Sequence, residues 1–343
     1  MCSSDLQVGA PQPLGIQTPG LPELVPIDQL ELLLHRGRAA GADLVEVFLE
    51  RTDHLGVLAE QEAITSVTPA FGRGAGIRVF RGHRDGFVST NDLSANGLLE
   101  ALAQALGMLG LSCPTVAAAA GSGFDGLPAL RDHGAAKGDW LSRCPGLEEA
   151  TAVLLRGTER LAHHGQHLQA RRGSYARDWQ EVLVVASDGT HARDIRLHQS
   201  LGLNLLAADG EHRASLGRRY GTSDSPDDLR HWDADASASD LCLSAGQMLY
   251  ADYVEAGQFP VVLANRFGGV IFHEACGHLL ETTQVERGTT PFADSVDAPI
   301  AHEAVTAIDE GLTGGAFGSL SMDDEGLEPQ RTVLIENGVL RRF

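Results

Sequence analysis

The chain lacks most of what would send a protein to a membrane, a nucleic acid or an oxidising compartment. No stretch of its 343 residues approaches the ~20 consecutive apolar positions of a membrane-spanning helix. The most apolar region, 98–120, is interrupted by Glu100, Gln104, Ser112 and Pro114. Residues 1–20 have neither a basic start nor an apolar core, so a disordered tail or scar is expected there rather than a signal peptide. The five cysteines (Cys2, Cys113, Cys144, Cys242, Cys276) are far apart and form no C-x-x-C pair. That pattern excludes a disulfide framework and points to a reducing, cytoplasmic setting. Aromatics make up 5%, too few for a base-stacking platform. Cations are scarce, with 26 Lys and Arg against 46 Asp and Glu and a formal net charge of −20. Such a field repels nucleic acid and anionic lipid. The arginine clusters are only pairs, at Arg171-Arg172, Arg218-Arg219 and Arg341-Arg342. Neither nucleic acid nor membrane is expected as a partner.

What is present is an ordinary soluble composition, 43% hydrophobic and 21% charged, with 40 glycines that imply many turns. A helix is expected over 27–38, with Leu30, Leu33 and Leu34 on one face. Alternating apolar and polar positions then predict short strands at 44–51, 54–59, 63–68, 76–81 and 86–90, joined as an antiparallel meander. Ser94 caps a helix reaching about 109. The Pro-, Gly- and Ala-rich segment 112–145 reads as a linker. A helix over 147–163 and a second strand set at 167–175, 181–186, 192–197 and 199–207 follow, with Ser187-Asp188-Gly189 and Asp209-Gly210 as hairpin turns. Residues 221–240 are acidic and mark a boundary, a helix is expected over 234–253, and 259–264 reads as a short apolar strand. A hairpin about Asn337-Gly338 closes the chain, and its second strand stops at Phe343.

The chemistry concentrates in Phe272-His273-Glu274-Ala275-Cys276-Gly277-His278-Leu279-Leu280-Glu281, an H-E-x-x-x-H-x-x-E pattern. Imidazoles are good zinc ligands, and a carboxylate beside the first can act as general base. Residues five apart on a regular helix are rotated by about 140°, so His273 and His278 would not share a face. A local π turn would align them, and Gly277 tolerates such a distortion. Glu281, three positions after His278, is placed to orient that ring. Other features carry less. Cys276 reads as a small buried thiol before a ligand. His163-His164 with His167 reads as solvated histidines at a helix end. The glycines of 71–76 read as strand glycines rather than a phosphate loop, and Asp323-Asp324-Glu325-Gly326 as a turn rather than a calcium loop. Gly268-Gly269 suits either close substrate approach or packing.

The stretch from Gly268 through His278 resembles the metal-binding helix of the TldD/PmbA metalloproteases. Three further stretches are similar to the same family, namely 43–50 with 72–81, Val184-Val185-Ala186-Ser187-Asp188-Gly189, and 323–326 through 333–338. The resemblance implies zinc held by His273 and His278, Glu274 as general base and hydrolysis of peptide bonds in small or unfolded peptides or leader peptides. It also implies a homodimer or a heterodimer with a related member. The family's third zinc ligand is a downstream cysteine that no residue here matches, so it is expected beyond Phe343 and the chain is expected to be a fragment.

The expected fold class is α+β, an N-terminal antiparallel sheet with packed helices followed by the start of a β-rich catalytic domain carrying the metal-binding helix. The expected division is a tail at 1–20, an α+β domain at 21–232 (sub-parts 21–111 and 146–220 around linker 112–145) and an incomplete metal-site domain at 233–343. The expected activity is zinc metallopeptidase. The alternative is a catalytically inactive peptide-binding or partner subunit, and a hydrolase of non-peptide substrates shares the same motif.

Overall fold

The computed structural model describes residues 20–115, 123–223, 225–265, 268–311 and 316–343. Two short helices begin it, α1 (Leu21–Leu24) and α2 (Ile27–Ala39), and three strands follow, β1 (Leu44–Glu60), β2 (Ala63–Arg81) and β3 (Arg84–Thr90). After α3 (Ala95–Met108) come a two-residue strand β4 (Arg131–Asp132), a turn of helix α4 (Trp140–Arg143) and the long α5 (Leu147–His164). Strands β5 (Leu168–Ala186), β6 (His191–Asp209) and β7 (His212–Ser223) and helix α6 (Ala234–Leu249) complete the first compact unit. Its sheet runs β3-β2-β1-β5-β6-β4, with β7 also on β6. All pairs are antiparallel except β4 with β6. The fold is α+β, as the patterning predicts.

Strand periodicity decides which face the helices cover. Val45, Val47, Leu49, Leu55, Val57 and Ala59 of β1 all point one way and are buried. The first three pack with Leu30, Leu33 and Leu34 of α2 and Leu98, Leu102 and Leu106 of α3. The last three pack with Ala150 and Leu154 of α5. Glu46, Phe48 and Glu50 point to the opposite face, which carries no helix over β1 among the described residues.

The strands are longer than the sequence predicts. The polar break expected at Thr52-Asp53 is continuous strand, because Arg177 across on β5 donates to Asp53 and His54 Nδ1 lies 2.6 Å from Asp178 Oδ1. The glycines of 72–76 likewise lie within β2. Segment 112–145, expected as a linker, holds β4 and α4 among its described residues. Helix α6 ends at Leu249, and its Ala238, Leu241, Cys242, Ala245 and Leu249 pack with Leu203 and Leu205 of β6. It therefore belongs with the first unit, and the chain divides after Tyr250 rather than at 233.

The second unit comprises most residues from Ala251 onward, apart from short returns to the first unit that include Phe317 and Met322–Leu327. It contains α7 (Gly268–Phe272), α8 (Thr282–Glu286), β8 (Ala307–Glu310), β9 (Arg331–Glu336) and β10 (Val339–Leu340), the strands ordered β10-β9-β8. The predicted hairpin at Asn337-Gly338 is present, with both residues at positive φ (50° and 81°). The strand expected at 259–264 is absent, and Val261 and Val262 are 74% and 97% exposed. An apolar run becomes a strand only where another strand meets its backbone groups, and none does so here among the described residues.

Candidate metal centre

Helix α7 passes without interruption into a π turn over His273–Gly277 and a 3₁₀ turn over His278–Leu280. The amide of His278 donates to the carbonyl of His273, five residues back. That widened turn brings the two imidazoles to a centroid separation of 4.4 Å. Leu280 anchors the end of the segment in the second unit's core, against Ala307 of β8, Ile335 of β9 and Leu340 of β10.

Gly277 has a different role from the one its residue type suggests. Its backbone, at φ −54° and ψ −54°, is one any residue adopts. A Cβ there would meet His273 Nδ1 at 3.4 Å, an ordinary contact. The glycine leaves room beside the first imidazole and supplies no special conformation. Gly268 lies close to Leu263, a Cβ meeting Leu263 Cβ at 3.3 Å, while Gly269 faces open space.

One donor atom each from His273, Glu274 and His278 lie within 4.8 Å of one another, the one such convergence among the described residues. His278 Nε2 lies 3.8 Å from Glu274 Oε2, and His278 Nδ1 is 2.8 Å from Glu281 Oε1. The two ring nitrogens are thereby separated in function. A carboxylate oxygen accepts, so Glu281 favours the tautomer with hydrogen on Nδ1, which leaves the Nε2 lone pair, on the side of Glu274, available to a metal. All three converging side chains are exposed. Two imidazoles at one point are nitrogen donors of the kind zinc takes, with the Glu274 carboxylate beside them, so the residues present fit such an ion.

The remaining sequence candidates do not join this group. Cys276 packs toward the unit's apolar core. His163 and His164 meet edge to face at 5.1 Å, and His164 Nε2 pairs with Asp235 at 3.2 Å. Asp323 forms a turn, its Oδ1 accepting from the amides of Glu325 (2.9 Å) and Leu327 (2.8 Å). A cysteine ligand beyond Phe343 lies outside the described residues.

Three family models match the chain in order. They are PmbA/TldA metallopeptidase domain 1 at residues 45–109, the central domain at 141–249 and the C-terminal domain at 256–343. A metalloprotease TldD homologue of Buchnera aphidicola (from Acyrthosiphon pisum) is 36% identical over 185 residues, covering 50% of this chain and 36% of that protein. A zinc metalloprotease TldD homologue of Saccharolobus solfataricus is 34% identical over 90 residues, covering 26% of this chain and 20% of that protein. The chain thus matches about a third or less of the length of these curated relatives. Two crystal structures share the fold. A Thermotoga maritima protein described as a candidate modulator of a DNA gyrase superposes with a TM-score of 0.71 at 15% identity, over 92% of this chain and 70% of that one. TldE from Thermococcus kodakarensis gives 0.66 at 17% identity, over 92% and 69%.

Proposed function

Because the chain belongs to the PmbA/TldD metallopeptidase family, we propose that it acts in zinc-dependent hydrolysis of peptide bonds, with His273 and His278 holding the metal and Glu274 as general base. The observation that carries this reading is the π turn, which converts a five-residue histidine spacing into a shared face. Zinc, when bound, supplies Lewis-acid polarisation of the scissile carbonyl. Glu274 takes the proton of the attacking water and delivers it to the departing amine. Glu281 holds His278 in the orientation and tautomer that leave Nε2 as the ligand. The third ligand is a cysteine further along the family's sequence. The substrate is a small or unfolded peptide or a leader peptide, bound extended against an open strand edge such as β8. The working assembly is a homodimer or a heterodimer with a related member, in the reducing cytoplasm that the four cysteines among the described residues, all free, suit. No described helix is long and apolar enough to cross a membrane.

A second reading, a silent partner or peptide-binding subunit, is favoured by the donor set itself, which holds two histidines and no cysteine among the described residues. Zinc analysis and cleavage of a disordered peptide separate the two. Glu274→Gln should keep its zinc and lose about 10²–10⁴-fold in cleavage rate. Unchanged cleavage would remove Glu274 from the mechanism. Wild-type protein that holds zinc but cleaves nothing would establish the silent reading.

A further inference from the structure

The face of the first unit's sheet that carries no helix over β1 has a cleft of about 570 Å³. Register explains it. Phe48 of β1 stands opposite Gly76 of β2, and Glu50 opposite Gly74, so side chains flank bare backbone. Phe87 of β3 leans over the gap, and a Cβ on Gly76 would come within 2.9 Å of its ring. Phe87 is 55% exposed. The turn at Met322–Leu327 closes one end. Met322 is buried beside Val182 and Val184, and Arg196 holds Asp324 (2.7 Å) and the Met322 carbonyl (3.0 Å).

The charges in this cleft are unbalanced. Glu50 accepts from Gln180 at 2.8 Å, and Asp324 is paired with Arg196. The lining cation, Arg78, is engaged by Asp85 at 2.9 Å and stacks on Phe80 at 4.5 Å. Glu46 stands opposite Arg78 in the register, and among the described residues neither Glu46 nor Glu325 makes an ion pair or a side-chain hydrogen bond. Burial first, and then the Glu325 charge, push the Glu46 carboxyl up, with Arg78 opposing and Asp188 adding. These carboxylates do not converge as metal donors; the one convergent set among the described residues lies elsewhere. A site lined by four carboxylates and one arginine, with aromatic walls and a glycine floor, suits a cation carried on an aliphatic stem, which can lie along the rings while its charge meets the acids.

We propose that this cleft binds the lysine or arginine side chain of a peptide segment, through Glu46 and Glu325 with Phe48 and Phe87 as walls. This reading does not depend on the metal centre, and its test reads binding and not cleavage. The probe is acetyl-Ala-Ala-Arg-Ala-Ala-amide, titrated into the full chain by calorimetry beside its citrulline isostere and free agmatine. The arginine peptide should bind at least tenfold tighter than the citrulline peptide, and Glu46→Gln and Glu325→Gln should each erase most of that ratio. Circular dichroism confirms that the variants fold, and removal of a mutually repelling charge should not weaken the sheet. Agmatine binding as tightly as the peptide would keep the cation site and assign it to a free amine. Equal binding of the arginine and citrulline peptides, no binding of either, or a ratio untouched by both variants would overturn the proposal.

Discussion

Single residues carry two consequences that can be measured. Glu281 fixes one ring nitrogen of His278. Glu281→Ala should lower zinc affinity about 10–100-fold, the usual loss when a ligand's orienting partner is removed. Competition with a chelating dye measures this, and unchanged affinity would leave Glu281 as a surface residue. Glu46 offers a test of sign. Its folded-state pKa stands above the ordinary 4.5, so the folded protein holds that proton more tightly than the unfolded chain. Its contribution is therefore most favourable below 4.5 and is lost as pH rises above that value. Glu46→Gln should gain in urea midpoint relative to wild type at pH 7, with the gain shrinking at pH 4. A gain that is larger at pH 4 would mean the pKa is not raised. Residue types made the candidate metal centre legible beforehand, since His273, Glu274, His278 and Glu281 stand in one short stretch. They could not show that Glu46 and Glu325 share a cleft, because 278 intervening residues hide that proximity.

At the scale of elements, the spacing of the histidines was the most informative signal. Five-residue spacing is incompatible with a shared face on a regular helix and compatible with a π turn, and the π turn is present. Strand lengths were less legible. Polar positions such as Asp53 and His54 look like breaks when read along one chain, and their partners Arg177 and Asp178 are about 125 residues away. The same long-range logic places Glu181 at the centre of β5 with no exposure. Its oxygens meet Arg193 at 2.7 Å and Arg51 at 3.0 Å, and one accepts from the Leu21 amide at 3.3 Å, joining α1, β1, β5 and β6. Glu181→Ala removes the carboxylate that Arg193 and Arg51 share, while Arg193 keeps Asp132 at 3.0 Å, and should cost about 1–3 kcal/mol in chemical denaturation. A loss under ~1 kcal/mol would show that water replaces the carboxylate.

For the whole molecule, composition and pattern were enough to settle several properties. The α+β class follows from alternating strand segments interleaved with amphipathic helices, because hydrophobic period is a local property of the chain. The excess of acids over bases sets the net charge of −20 wherever the chain folds. The motif determines the donor chemistry, because imidazole and carboxylate bring it with them. Tertiary structure decided what depends on distant residues meeting. It assigns α6 to the first unit through its packing on β6, and among the described residues it leaves 259–264 without a partner strand. It lays the Met322–Leu327 turn on the first unit's sheet, so that Glu325 faces Glu46 across a glycine floor. Local patterns follow from the covalent order of side chains. Partnerships across the sheet follow from register and burial, which exist only once the chain has closed on itself.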